Sequence, residues 1–193
     1  MVRQALIAVM LSFLSMGCAA TRVPTAQAAT KDAPAEIIFA RGILKTSSPG
    51  PAWIVRKDIV MRDAQGRPIP FALMFTDPQT GSVIAVSVYG TDDVSPIMMA
   101  DRMQTALRAS GAEVSNVDFS RDDRASFMFK VTGPMESRAV GKTVTVRLND
   151  IVSVAVVGTW AGEDIDGLQD GPAGKSGRAA MESVVNGLAI IPK

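Results

Sequence analysis

From residue 36 onward, apolar and polar residues mostly alternate, and in two places the apolar ones recur every three or four positions instead. The first spacing predicts strands and the second helices, because side chains repeat every two residues on a strand and about every 3.6 on a helix. Candidate strands cover residues 37–44, 52–55 (with Trp53), 71–75 and 83–89. The first two are parted by the turn cluster Ser47-Ser48-Pro49-Gly50-Pro51, and the last two by residues 77–81, where Gly81 suits a hairpin. A helix follows. Ser95 is its N-cap, Pro96 occupies its first turn, and Gly111 stops it, while Met99, Met103 and Leu107 form one apolar stripe. Asp101, Arg102, Thr105 and Arg108 are left for water.

Further strands are expected over 114–119, 126–131, 143–148 and 151–159. In the third of these, Val144, Val146 and Leu148 alternate with Thr143, Thr145 and Arg147, which predicts one packed face and one wet face. Asn149-Asp150 then reads as a two-residue type I′ turn. A second helix is expected from about Ser176 to 188, with Met181, Val184, Val185 and Leu188 on its buried side. The whole predicts a single α+β domain over 36–193, an antiparallel sheet packed by two main helices.

Residues before 36 read as an address. Arg3 precedes an apolar run over 5–16, too short for the ~20 residues a membrane-crossing helix needs. Gly17-Cys18 follows, which resembles a bacterial lipobox, although Leu14 sits one place further back than is usual. The chain contains 1 cysteine, so no disulfide can form within it, and its position suits acylation. The expectation is a lipoprotein-type signal over 1–17, lipidation of Cys18, and a flexible tether over 18–35, rich in Ala, Thr and Pro. That places the domain in the bacterial cell envelope, on the outer membrane facing the periplasm. Cleavage by ordinary signal peptidase within 17–19 or 26–28 would make it soluble and periplasmic instead.

Composition narrows the chemistry. The chain has 0 histidines, which removes Ser-His-Asp and Cys-His catalysis and most zinc sites. A net charge of +1 with scattered Lys and Arg argues against nucleic acid as a partner. Gly174-Lys175-Ser176 imitates the end of a phosphate-binding loop, but Gln169 stands where that motif needs Gly. Met98, Met99 and Met103 bring thioethers together on one helix, where core packing explains Met99 and Met103 better than copper does. Trp53 and Trp160 read as core anchors rather than stacking platforms.

The long connection over 161–177 concentrates Glu163, Asp164, Asp166 and Asp170. Connections in compact domains usually run ~4–6 residues, so this one is the candidate partner-binding loop. Its carboxylates lack the third ligand and the distant Glu of a calcium loop.

The order of elements resembles the Mog1/PsbP-like fold, an α/β/α sandwich. The resemblance is carried by Pro51-Ala52-Trp53, the hairpin around 77–81, the helix from Ser95 with Gly111, and the closing helix with Val184-Val185. It spans about 44–191; the segment 57–70 and the Gly-rich loop before the last helix depart from it. Members of that fold family mostly act by binding other proteins, and no functional residue is carried over. The resemblance implies an accessory role without catalysis or cofactor: a lipid-anchored domain that binds or helps assemble an unknown envelope protein. The alternative is a periplasmic small-molecule or metal-binding domain, and a carboxylate-based enzyme is a third reading.

Overall fold

A computed structural model describes residues 35–62, 68–90, 95–132, 138–162, 165 and 171–192. The main sheet is antiparallel. Its strands are β3 (Ile54–Arg62), β4 (Pro68–Thr76), β5 (Val83–Gly90), β10 (Val152–Ala161), β9 (Arg138–Arg147), β8 (Arg124–Thr132) and β6 (Glu113–Val114), in that spatial order, with β7 (Asp118–Arg121) also paired to β8. A small second sheet joins β1 (Glu36–Phe39), β2 (Leu44–Ser47) and β11 (Ala189–Ile190). Helix α1 (Pro96–Ala109) covers one face of the main sheet and α2 (Pro172–Asn186) the other.

Each face has its own core. On the α1 side, Met99, Met103 and Leu107 pack on Phe127, Phe129, Ala155 and Val157. On the α2 side, Met181, Val184 and Val185 meet Val144, Val154, Val156 and Trp160, and the small sheet adds Phe39 and Leu44. Strand β10 therefore buries both sides, which explains its nearly unbroken apolar run.

Helix α1 follows its sequence signals closely. Ser95 Oγ accepts from the Met98 N–H at 3.2 Å, Pro96 lies in the first turn, and Gly111 takes φ +87° just past the C-cap Ser110. The hairpin between β4 and β5 also forms as expected, with Gly81 at φ +71° and the Asp77 carboxylate accepting from Gln79 N–H and Thr80 Oγ1.

Five expectations about the extent of strands, turns and helices are corrected. The strand expected over 37–44 is a hairpin, because Ala40, Arg41 and Gly42 turn the chain at φ 50°, 58° and 81°. Ala and Arg are not turn formers, so the pattern carried no break. The short strand expected at 52–55 extends to Arg62; its Arg56, Lys57 and Asp58 interrupt the apolar period because β3 is a sheet edge, where charge discourages pairing with other chains. The strand expected over 114–119 is split into β6 and β7, which pair with successive parts of β8. Asn149 does not adopt positive φ. Instead Leu148 N–H and Asn149 N–H both reach Val152 O, and Asn149 Oδ1 accepts from the Ile151 and Val152 N–H groups, an Asx-type connection longer than two residues.

The fifth correction concerns the second helix, which starts at Pro172 with Gly171 as N-cap, not at Ser176. Gly174 and Gly177 lower helix propensity, so the sequence resembles a loop there. Both are buried. A Cβ on Gly177 would stand 2.8 Å from the Trp160 Cβ, so close seating of the helix on that indole requires glycine and overrides propensity.

Candidate interaction face

Cys18 and the four carboxylates Glu163, Asp164, Asp166 and Asp170 lie outside the described residues. Gly174-Lys175-Ser176 sits inside α2, not in a loop feeding it, so the phosphate-loop comparison ends there. Met99 and Met103 are buried in the α1 core while Met98 is exposed, which leaves no thioether cluster on that helix. Trp160 is a core residue at 1% exposure, and Trp53 packs against the same cluster half-buried. Among the described residues, no three His, Cys, Asp or Glu side chains converge as metal ligands, and no helix is long and apolar enough to cross a membrane.

The polar chemistry that does converge lies on the α2 side, where α2 leaves the outer strands uncovered. Strand β8 buries Ala125, Phe127, Phe129 and Val131 under α1. Its alternate residues Arg124, Ser126, Met128 and Lys130 must therefore face the α2 side, only half-buried. Register places Val146 beside Arg124, Lys142 beside Met128 and Arg138 beside Thr132, so the cations of both strands share that face.

Helix α2 supplies the wall. Its residues 178 and 182 are one turn apart on a flank of the buried stripe. The Arg178 guanidinium lies over the Trp160 ring at 5.5 Å and contacts the Met128 sulfur at 3.8 Å. Glu182 reaches across to two strands: Lys142 Nζ donates to Oε1 at 2.5 Å and Arg124 Nη2 to Oε2 at 3.5 Å.

Burial raises the Glu182 pKa, but the hydrogen bond and charge of Lys142, aided by Arg124, outweigh it and hold the carboxyl below its ordinary value. The folded pKa is thus lower than the unfolded one. Stability from this cluster is in place above the unfolded value of about 4.3 and is lost as pH falls through the folded value. With the Glu182 side chain 36% exposed, screening limits the effect to about 1 kcal/mol or less. Glu182→Gln should therefore be less stable than the parent at pH 7, with the gap closing towards pH 3. Urea melts across that range test this, and a constant gap would show that charge is not its source.

The sequence alone did not point to this face. Arg124, Lys142 and Glu182 lie far apart in the sequence, and only the β8–β9 register and the seat of α2 bring them together.

A sandwich of this order, with a helix on each side of the sheet and a small accessory sheet, defines a fold class shared with known proteins. No protein-family model and no curated protein matches the sequence. Among solved structures, the Ran-binding protein Mog1p of Saccharomyces cerevisiae superposes with a TM-score of 0.55 at 13% identity, covering 81% of this chain and 95% of that one. The solution structure of cyanobacterial PsbP (CyanoP) from Synechocystis sp. PCC 6803 gives 0.50 at 11% identity, covering 88% and 99%. The fold is thus Mog1/PsbP-like, as the order of elements implied, and at these identities the likeness concerns the fold alone.

Proposed function

We propose that this chain is a lipid-anchored protein of the bacterial cell envelope, carried on the outer membrane and facing the periplasm, whose Mog1/PsbP-like domain binds or helps assemble a partner protein without catalysis. The observation that carries the location is Cys18 directly after the apolar run over 5–16 and Gly17. Support for the binding role comes from the fold it shares with a protein described as Ran-binding, together with a half-buried face where charges cluster.

The anchor is tested by growth with radiolabelled palmitate. The parent chain should incorporate label, and Cys18→Ala should incorporate none and either leave the membrane fraction or accumulate uncut; equal labelling of both ends the lipoprotein reading. The role is tested by crosslinking on native membranes followed by purification of the adduct. A discrete crosslinked envelope protein supports it, and its absence from an anchored, folded domain counts against it.

A further inference from the structure

The small sheet turns one face to the core and the other outward. Phe39 and Leu44 are buried in the α2-side core, and buried Thr46 donates to Val184 O at 2.6 Å. Residues one place along each strand therefore point away from the domain. Among them are Ile38 and Ile43, each 47% exposed. Register sets Ile38 beside Lys45, two residues from Ile43 on the same face. Ile190 pairs with Leu44, and the next N–H, of Ile191, donates to Ile43 O, so Ile191 continues the face at the end of β11. Three isoleucines thus form a diagonal strip across the small sheet.

Folding does not require apolar side chains there, since the same face also carries the ion pair of Lys45 with Glu36 at 2.8 Å. The way the chain enters the domain says what covers the strip. Glu36 opens the first described strand two residues before Ile38, and Ala35 O accepts from the Ser48 N–H. On the lipoprotein reading proposed above, on which this inference rests, residues 18–35 join that strand to an acylated Cys18. A coil of that length spans roughly 20–25 Å, whereas a domain of this size is about 40 Å across. The side on which the tether enters is hence the side held near the bilayer, and turning another side to it stretches the tether beyond its relaxed length.

We propose that the strip of Ile38, Ile43 and Ile191 rests on the lipid surface that carries the anchor, and so turns α1, on the opposite face of the main sheet, away from the membrane. The contact is interfacial. Strands β1 and β11 are sheet edges, and neither their unpaired backbone groups nor the Lys45–Glu36 pair can enter hydrocarbon, so only the isoleucine side chains dip below the headgroups. Arg41, exposed in the turn between Ile38 and Ile43, has the sign that anionic headgroups attract. Three partly exposed side chains are too little to hold a free protein on a membrane. The tether changes this, because it keeps the sheet at an effective concentration on the order of millimolar, where a weak contact is populated.

The test uses the acylated full chain in vesicles of phosphatidylethanolamine and phosphatidylglycerol. An environment-sensitive fluorophore is placed on Lys45→Cys, which lies within the strip and leaves its isoleucines intact, or on Met98→Cys, exposed on α1. With Cys18 acylated, the introduced thiol is the only one to label. Brominated lipid should quench the label at 45 severalfold more than the label at 98, and iodide in the buffer should do the reverse. Ile38→Ser with Ile43→Ser should abolish the difference while the chain stays with the vesicles. Both side chains are exposed, so the double variant should melt in urea like the parent, and Ile43→Ser alone should give a partial loss of shielding. Equal quenching at both positions, stronger lipid quenching at 98, or full shielding in the double variant overturns the proposal. So does a label at 45 that is shielded in native membranes but open in pure lipid, since a protein then covers the strip. An anchored chain whose label at 45 stays open loses only this orientation; a chain that takes up no palmitate and stays out of the vesicles loses the anchor itself, and the contact with it.

Discussion

Thr145→Asp is expected to destabilise the domain by roughly 3 to 5 kcal/mol, enough to unfold many domains of this size, and Val146→Asp considerably less. Thr145 has 0% exposure. Its hydroxyl bridges the sheet to α1 by donating to Pro96 O at 2.8 Å, with Ala125 O at 3.3 Å sharing the proton. A carboxylate there would set its own lone pairs against two carbonyl oxygens in a dry layer. Val146, next along β9, is half-buried on the other face, and its cross-strand neighbour is Arg124. An aspartate at that position gains a cation and partial hydration. Urea midpoints of the two variants at pH 7 decide the matter, and equal losses would mean that the α2 side is as closed as the α1 side.

The alternation of β9 predicted the opposite ranking, and the reason lies in what threonine hides. Thr143 and Thr145 look like a wet face because they are polar, yet both have 0% exposure beneath α1. Their branched shape fits a sheet under a helix, and for Thr145 the hydroxyl finds carbonyls on α1 and β8. A residue both polar and β-branched leaves the period of a strand ambiguous, and only the helix above resolves it. Signals that act locally were legible. The cap, proline and terminal glycine of α1 and the turn at Asp77 fix their own geometry within a few residues, so nothing distant could overrule them. The start of α2 was not legible, because the contact that admits Gly177 is with a tryptophan in another strand. The same division runs through the candidate site. An acidic loop is conspicuous because its charges are contiguous, whereas Arg124, Lys142 and Glu182 are separated by tens of residues and become one cluster only through register.

Gly141→Ala should be among the most damaging single-methyl additions the domain can receive, costing roughly 2 to 4 kcal/mol. Gly141 lies in β9 opposite Phe129 of β8, and its missing side chain leaves room for that ring. A Cβ would fall within the Phe129 ring edge and 2.6 Å from the carbonyl oxygen of Gly158 on β10. The ring is itself fully buried and tilted against Phe127 at 6.5 Å, so it has no empty space to rotate into. The oxygen belongs to the backbone of the central strand, and it moves only if β9 and β10 part. Against this, alanine returns less than about 1 kcal/mol by restricting the unfolded chain. Gly111→Ala is the control: at φ +87° it carries the conformational penalty of a left-handed residue but meets no atom within 4 Å, so it should cost only about 1 kcal/mol. Calorimetric melts of the two variants should therefore differ by several degrees, with Gly141→Ala the lower. Adding Phe129→Leu then separates the two obstacles. If the shorter side chain restores part of the loss, in a negative coupling between the two sites, the aromatic ring is the main barrier; if the losses simply add, the Gly158 carbonyl and the spacing of the central strands set the cost.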